Sequence, residues 1–80
     1  MAESTADVRL MIERVAKSLV DAPDEVFAEI FDDGVIELEV AETDVGKVIG
    51  RQGRTARALR TLLNASGVRA RKRYQLEIIE

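Results

Sequence analysis

The residues of this chain best suited to chemistry lie between Val48 and Arg57, where Val48-Ile49-Gly50-Arg51-Gln52-Gly53-Arg54 is followed by Arg57. Two glycines flanking two polar residues let the backbone reverse tightly, because glycine tolerates positive φ. With no Cβ at Gly50 or Gly53, a phosphodiester backbone could come into van der Waals contact with the turn. A helix expected to begin after Gly53 would add unpaired N–H groups and a partial positive charge at the same place. Arg51 lies inside the turn, and Arg54 and Arg57 follow at three-residue steps, on one side of that helix. Contacts of this kind hold a nucleic-acid strand without reading its sequence. The same pattern also fits a tight interhelical turn whose arginines serve solubility, so context must decide.

Charge supplies part of that context. The formal net charge of −3 conceals a strong segregation. Residues 1–44 hold 13 acids and 3 bases, whereas residues 45–76 hold 9 bases and no acid. Two electrostatic faces are expected, one of which attracts phosphate. With no cysteine and no histidine in the sequence, the usual metal ligands, thiolate nucleophiles and the commonest acid–base side chain are all missing. Nothing marks a catalytic site, a cofactor or a metal, and the reading is of a protein that is not an enzyme. A Gly-x-x-x-x-Gly-Lys-Ser/Thr phosphate loop is also absent.

The elements that must position the turn follow from periodicity. Eighty residues, 46% hydrophobic and 34% charged, suit one globular domain over 1–80. Residues 1–5 are expected to be flexible. Ser4-x-x-Asp7 resembles a capping box, and Val8, Met11/Ile12, Val15 and Leu19 form one helical stripe, with Arg9, Glu13, Arg14 and Lys17 toward water. Pro23 stops this helix. Glu25 to Phe31 reads as a strand with Val26, Ala28 and Ile30 on one face and Phe27, Glu29 and Phe31 on the other. Asp32-Asp33-Gly34 signals a hairpin into Val35–Ala41. Thr43 or Asp44 would cap a single turn over Val45–Ile49. A longer helix after Gly53 presents Ala56, Leu59, Leu62 and Leu63 and ends at Ala65-Ser66-Gly67. A basic loop, Arg69–Arg73, leads to a strand in which Tyr74, Leu76 and Ile78 alternate with polar residues.

The order is α-β-β-α-α-β. Joining the last two strands through helices implies a parallel, right-handed crossover. The expected fold class is α+β, a three-stranded mixed sheet with three helices packed on one face. Phe27, Phe31 and Tyr74 are not spaced as a base-stacking platform, and core packing is the expected role of all three. No apolar run approaches the roughly 20 residues that span a bilayer. The acidic start of the chain lacks the features of a signal peptide, so a cytoplasmic protein is expected.

With these elements in place, the sequence resembles the KH domain in its type II arrangement, whose signature is (Val/Ile)-Ile-Gly-x-x-Gly. It is most similar to the bacterial family of stand-alone single-KH proteins, the KhpA (YlqC-like) family. The likeness covers nearly the whole chain. It rests on Leu19-Val20-Asp21-x-Pro23-Asp24-Glu25-Val26 and on the run from Gly46-Lys47-Val48-Ile49 through Gly50-Arg51-Gln52-Gly53 to Arg60. The resemblance implies binding of about four nucleotides of single-stranded RNA across the loop, with bases over an aliphatic groove. Gly50 to Gly53 would clamp the backbone, and Val48 and Ile49 would pack or line the groove. With Lys47, Arg54 and Arg57, these residues form the expected RNA-binding set. Where many KH domains place a bulky aliphatic residue, this chain has Thr55, which bears on base preference. The resemblance further implies an RNA chaperone or post-transcriptional regulator. It would act with a KhpB-like (Jag-like) RNA-binding partner and be linked to cell-envelope growth and cell length. A homodimer fits the same reading, and the competing one is a protein-interaction domain that uses the Gly-x-x-Gly loop to dimerise.

Overall fold

The computed structural model describes residues 4–79; Met1, Ala2, Glu3 and Glu80 lie outside the described residues. Helix α1 spans Thr5–Leu19 with Ser4 at its N-cap, and residues 1–3 of the segment expected to be flexible lie outside the described residues. The Ser4 hydroxyl accepts the Asp7 N–H at 3.1 Å, and the Asp7 carboxylate accepts the Ser4 N–H at 3.3 Å. The capping box therefore closes with Asp in the usual place of Glu. Val8, Ile12 and Ala16 form the buried stripe, flanked by the partly buried Met11 and Val15. Leu19 is exposed. The helix ends there, and Val20, in extended conformation, packs on the core in its place.

Strand β1 spans Phe27–Ile30 and β2 spans Val35–Glu39. They pair antiparallel with Ala28 opposite Leu38 and Ile30 opposite Ile36. The first strand starts later than expected because Pro23–Glu25 forms a 3-10 turn, with Pro23 fixing φ at its first position. Arg9 reaches from α1 to the Ala28 carbonyl at 3.3 Å while pairing with Glu13 at 2.9 Å. Its guanidinium thus ties helix to sheet, and both side chains are partly covered where solvent exposure was expected. Strand β3, Gln75–Ile79, pairs parallel with β2, giving the order β1-β2-β3. The crossover runs through α2, Val45–Ile49, and α3, Arg54–Ala70. Ile36, Leu38 and Leu76 of the sheet share one core with Val8, Ile12, Val48, Leu59 and Leu63 of the helices. This is the α-β-β-α-α-β arrangement, with a mixed sheet covered on one face.

Leu62, expected on the apolar face of α3, is exposed, and two further expectations also need correction. Helix α3 does not stop at Gly67 but continues to Ala70. Gly67 sits inside it because a Cβ there would collide with the Lys72 carbonyl and lie 3.5 Å from the Tyr74 ring. The residue is small so that the returning chain can lie against the helix. The helix closes instead on Arg71, at φ +56. The Lys72 N–H donates to the Gly67 carbonyl at 2.8 Å and the Arg71 N–H to the Val68 carbonyl at 3.3 Å, a Schellman pattern. Arg69 and Ala70 are therefore helical, and the loop is shorter than Arg69–Arg73.

The second correction concerns the aromatics. Tyr74 is in the core at 4% exposure, but Phe27 and Phe31 are 59% and 41% exposed. Alternation along β1 turns Phe27 away from Val26, Ala28 and Ile30, and Phe31 lies just past the strand's end; both remain exposed. The Tyr74 hydroxyl is buried without a hydrogen-bond partner among the described residues. An unsatisfied buried hydroxyl costs about 1–3 kcal/mol. Tyr74→Phe should accordingly raise the thermal midpoint by at least about 4 °C; a lowered midpoint would mean that the hydroxyl is satisfied.

Candidate nucleic-acid interface

The turn at Gly50 is held from behind by two groups of contacts. Val48 is fully buried and anchors the five-residue α2 in the core. Asp44, 1% exposed, stands at the N-cap position of α2 but makes no side-chain cap there. Its carboxylate reaches across to the end of α1, accepting the N–H of Asp21 at 3.2 Å and of Ala22 at 3.0 Å. The Lys47 ammonium lies 3.4 Å from Asp44 and 3.0 Å from Asp21. Burial alone would push the Asp44 carboxyl up, but the two amides and Lys47 outweigh it and hold it below its ordinary value. Lys47 is shifted the other way, upward, first by its hydrogen bond to Asp21. No linear pattern announces this latch, because the two amides lie more than 20 residues from Asp44.

The turn itself has three residues at positive φ. Gly50 has φ 79 and ψ 169, Gln52 has φ 58, and Gly53 has φ 74. The Gly50 N–H donates to the Gly46 carbonyl at 2.9 Å, and the Gly53 N–H to the Gly50 carbonyl at 3.1 Å. Thr55 lies directly over Gly50: a Cβ at Gly50 would fall 2.7 Å from the Thr55 Cβ and 2.8 Å from its backbone nitrogen. Thr55 thus packs against the turn it follows. A Cβ at Gly53 would meet nothing within 4 Å, so that side of the turn is open to a ligand. Gly53 occupies the N-cap of α3 and supplies no side-chain cap. The first amides of α3 are left without a side-chain acceptor, at the positive end of a 17-residue helix.

Around this opening the cations are unneutralised. Arg51, Arg54 and Arg57 are exposed, and among the described residues none pairs with a carboxylate. Arg54 instead donates to the Gln52 side-chain carbonyl at 3.2 Å. The paired cations Arg9, Lys17 and Lys47 all lie elsewhere or behind the turn. Arg60, one turn further along α3, bends to the Leu76 carbonyl at 3.3 Å. Of the expected set, Ile49, Gly50, Arg51, Gln52, Gly53, Arg54 and Arg57 share the surface of the turn and the start of α3. Val48 lies beneath it, and the charge of Lys47 is held by Asp21 and Asp44. No group of His, Cys, Asp and Glu among the described residues could hold a metal ion.

The sequence that forms this arrangement has named relatives. The KH domain family described as KhpA/KhpB matches residues 9–78, from the first helix to the last strand. The chain belongs to this family. A protein of Aquifex aeolicus named RNA-binding protein KhpA is 52% identical over 73 residues, covering 88% of this chain and 92% of that protein. A protein of the same name from Treponema pallidum is 51% identical over 73 residues, covering 88% and 91%. A third, from Bacillus subtilis, is 44% identical over 73 residues, covering 88% and 90%. No solved structure matches the chain significantly. The KhpA/KhpB family is one of KH domains whose matched members are named for RNA binding, not a family of enzymes. Among the described residues, no helix is long and apolar enough to cross a membrane.

Proposed function

We propose that this protein binds single-stranded RNA by gripping its backbone at Gly50-Arg51-Gln52-Gly53. The observation that carries the reading is the juxtaposition of an open, left-handed turn, an uncapped helix start and three unpaired arginines. Phosphate oxygens would lie against Gly53 and the first amides of α3, with Arg51, Arg54 and Arg57 around them. Ile49, half-exposed beside the turn, offers an aliphatic surface to the bases. Lys47 and Val48 would act from behind, by holding α2 in place. The names of the matched relatives support RNA as the ligand. A role as RNA chaperone or post-transcriptional regulator in the cytoplasm, linked to envelope growth and cell length, is the physiological extension of this reading.

A footprint of about four nucleotides binds weakly, and pairing would supply avidity. The family description joins KhpA to KhpB, which favours a KhpB-like partner. Ala58, Leu62, Ala65 and Val68, all exposed on one side of α3, supply an apolar stripe for such pairing or for a homodimer. The reading in which the turn serves only dimerisation is separated by one variant. Arg51→Asp/Gln52→Asp should fold normally, since both side chains are exposed and Asp tolerates the left-handed position of Gln52 better than Gln. RNA crosslinked to the protein in cells should fall about tenfold or more, because like charge repels the phosphates. Undiminished RNA recovery would show that the turn is not the RNA surface.

A further inference from the structure

Among the described residues, the face of the sheet opposite the helices is unpartnered. Strand register resolves it into rows that run across all three strands. One row is Phe27–Glu39–Ile79, and the next is Glu29–Glu37–Glu77. Beyond them Phe31 lies exposed at the end of β1. Phe27, Glu29, Glu37, Glu39 and Ile79 line a shallow depression of about 240 Å³. Among the described residues none of these glutamates is ion-paired. Three glutamates in one register row repel one another across strands. An exposed phenylalanine and isoleucine beside them leave apolar area in water. Both features are unfavourable in the free protein, and both are relieved by the same kind of occupant.

We infer that this face docks an arginine-bearing polypeptide segment of another protein. A guanidinium binds a carboxylate through two parallel N–H···O bonds, and its plane stacks on an aromatic ring. Glu39 directly opposite Phe27, with Glu29 two residues along β1, offers both contacts in one place. Apolar residues alternating with the arginines would cover Ile79 and Phe31. RNA is excluded from this face by four carboxylates. A second copy docking through its Gly50–Gly53 turn would make a head-to-tail contact, which leaves a chain of copies open unless the rotation closes a ring. The protein thus presents two faces of opposite charge, one for phosphate and one for arginine, on opposite sides of its core.

The test uses this 80-residue chain and a short synthetic peptide of alternating Arg and Ile, followed by amide NMR and fluorescence titration. Shifts are expected at Phe27, Glu37, Glu39, Glu77 and Ile79. Glu29→Gln/Glu39→Gln should weaken the peptide about tenfold. The charge-matched control Asp24→Asn/Glu42→Gln, on the short turns outside the sheet, should leave it within about twofold. The double glutamine variant removes repulsion, so it is expected to fold. A peptide with Lys for Arg should bind several-fold more weakly. Equal loss in both variants, shifts spread over all acidic residues, or an oligouridylate that moves the sheet resonances would each overturn the inference.

Discussion

Gly50→Ala should destabilise the protein by about 2–5 kcal/mol and abolish RNA binding by the turn. The two contributions are separable. The residue holds φ 79 and ψ 169, a region that costs a side-chain-bearing residue about 1–3 kcal/mol. The added methyl would also stand 2.8 Å from the Thr55 backbone nitrogen. That atom belongs to the first turn of α3 and cannot swing aside as a side-chain tip would. Two neighbouring glycines provide the contrast. Gly53→Ala meets no neighbour within 4 Å but keeps φ 74, so it should cost only about 1–2 kcal/mol. Gly46 lies in α2 with open space around it, and Gly46→Ala should be stabilising by about 0.5–1 kcal/mol. Urea unfolding of the three variants checks the order. Equal costs at positions 46, 50 and 53 would contradict the packing of Thr55 over Gly50.

Asp44→Asn should lower the thermal midpoint by about 5–15 °C at neutral pH. Asn keeps one acceptor oxygen, but it loses the charge and cannot receive both the Asp21 and Ala22 amides while drawing in Lys47. The loss should be strongly dependent on pH. In the native protein, burial raises the Asp44 carboxyl, while the amide bonds and Lys47 lower it further and prevail. A carboxyl that holds its proton less readily when folded adds stability that is fully present above its unfolded value near 3.8. That stability is lost as pH falls through the lowered native value. The wild-type midpoint should therefore approach that of Asp44→Asn as pH drops below about 4. A difference between the two proteins that stays constant from neutral to acid pH would show that Asp44 does not carry the latch as a carboxylate. Because the latch joins the end of α1 to α2, its failure should also loosen the turn that α2 carries.

Periodicity and turn chemistry made most of the fold legible. The capping box at Ser4, the alternation of Ile36 and Leu38, and the hairpin at Gly34 all depend on neighbours in sequence, and each formed as expected. What escaped depends on neighbours in space. Gly67 reads as a helix stop by local preference, but its reason is the Lys72 carbonyl and the Tyr74 ring against it. Phe27 and Phe31 read as core by hydrophobicity alone, yet exposure followed from which face the helices cover. Asp44 reads as a local cap, while the amides it accepts, those of Asp21 and Ala22, lie just past the end of α1. At the candidate site, the glycines and arginines were visible from their spacing. The roles of Lys47 and Val48 were not, since spacing cannot tell a side chain beside a ligand from one beneath the surface. Thr55 turned out to be a packing partner of Gly50.

The central claim, that unpaired arginines at the Gly50–Gly53 turn hold RNA phosphates, is tested most directly by binding of a single-stranded oligouridylate as salt is varied. Neutralising about three to four phosphates predicts a log–log slope near −2 to −3 for the native protein. Arg51→Asp/Gln52→Asp should bind more weakly and flatten that slope by about 1. A slope near zero for the native protein, or one that the substitutions leave unchanged, would contradict it.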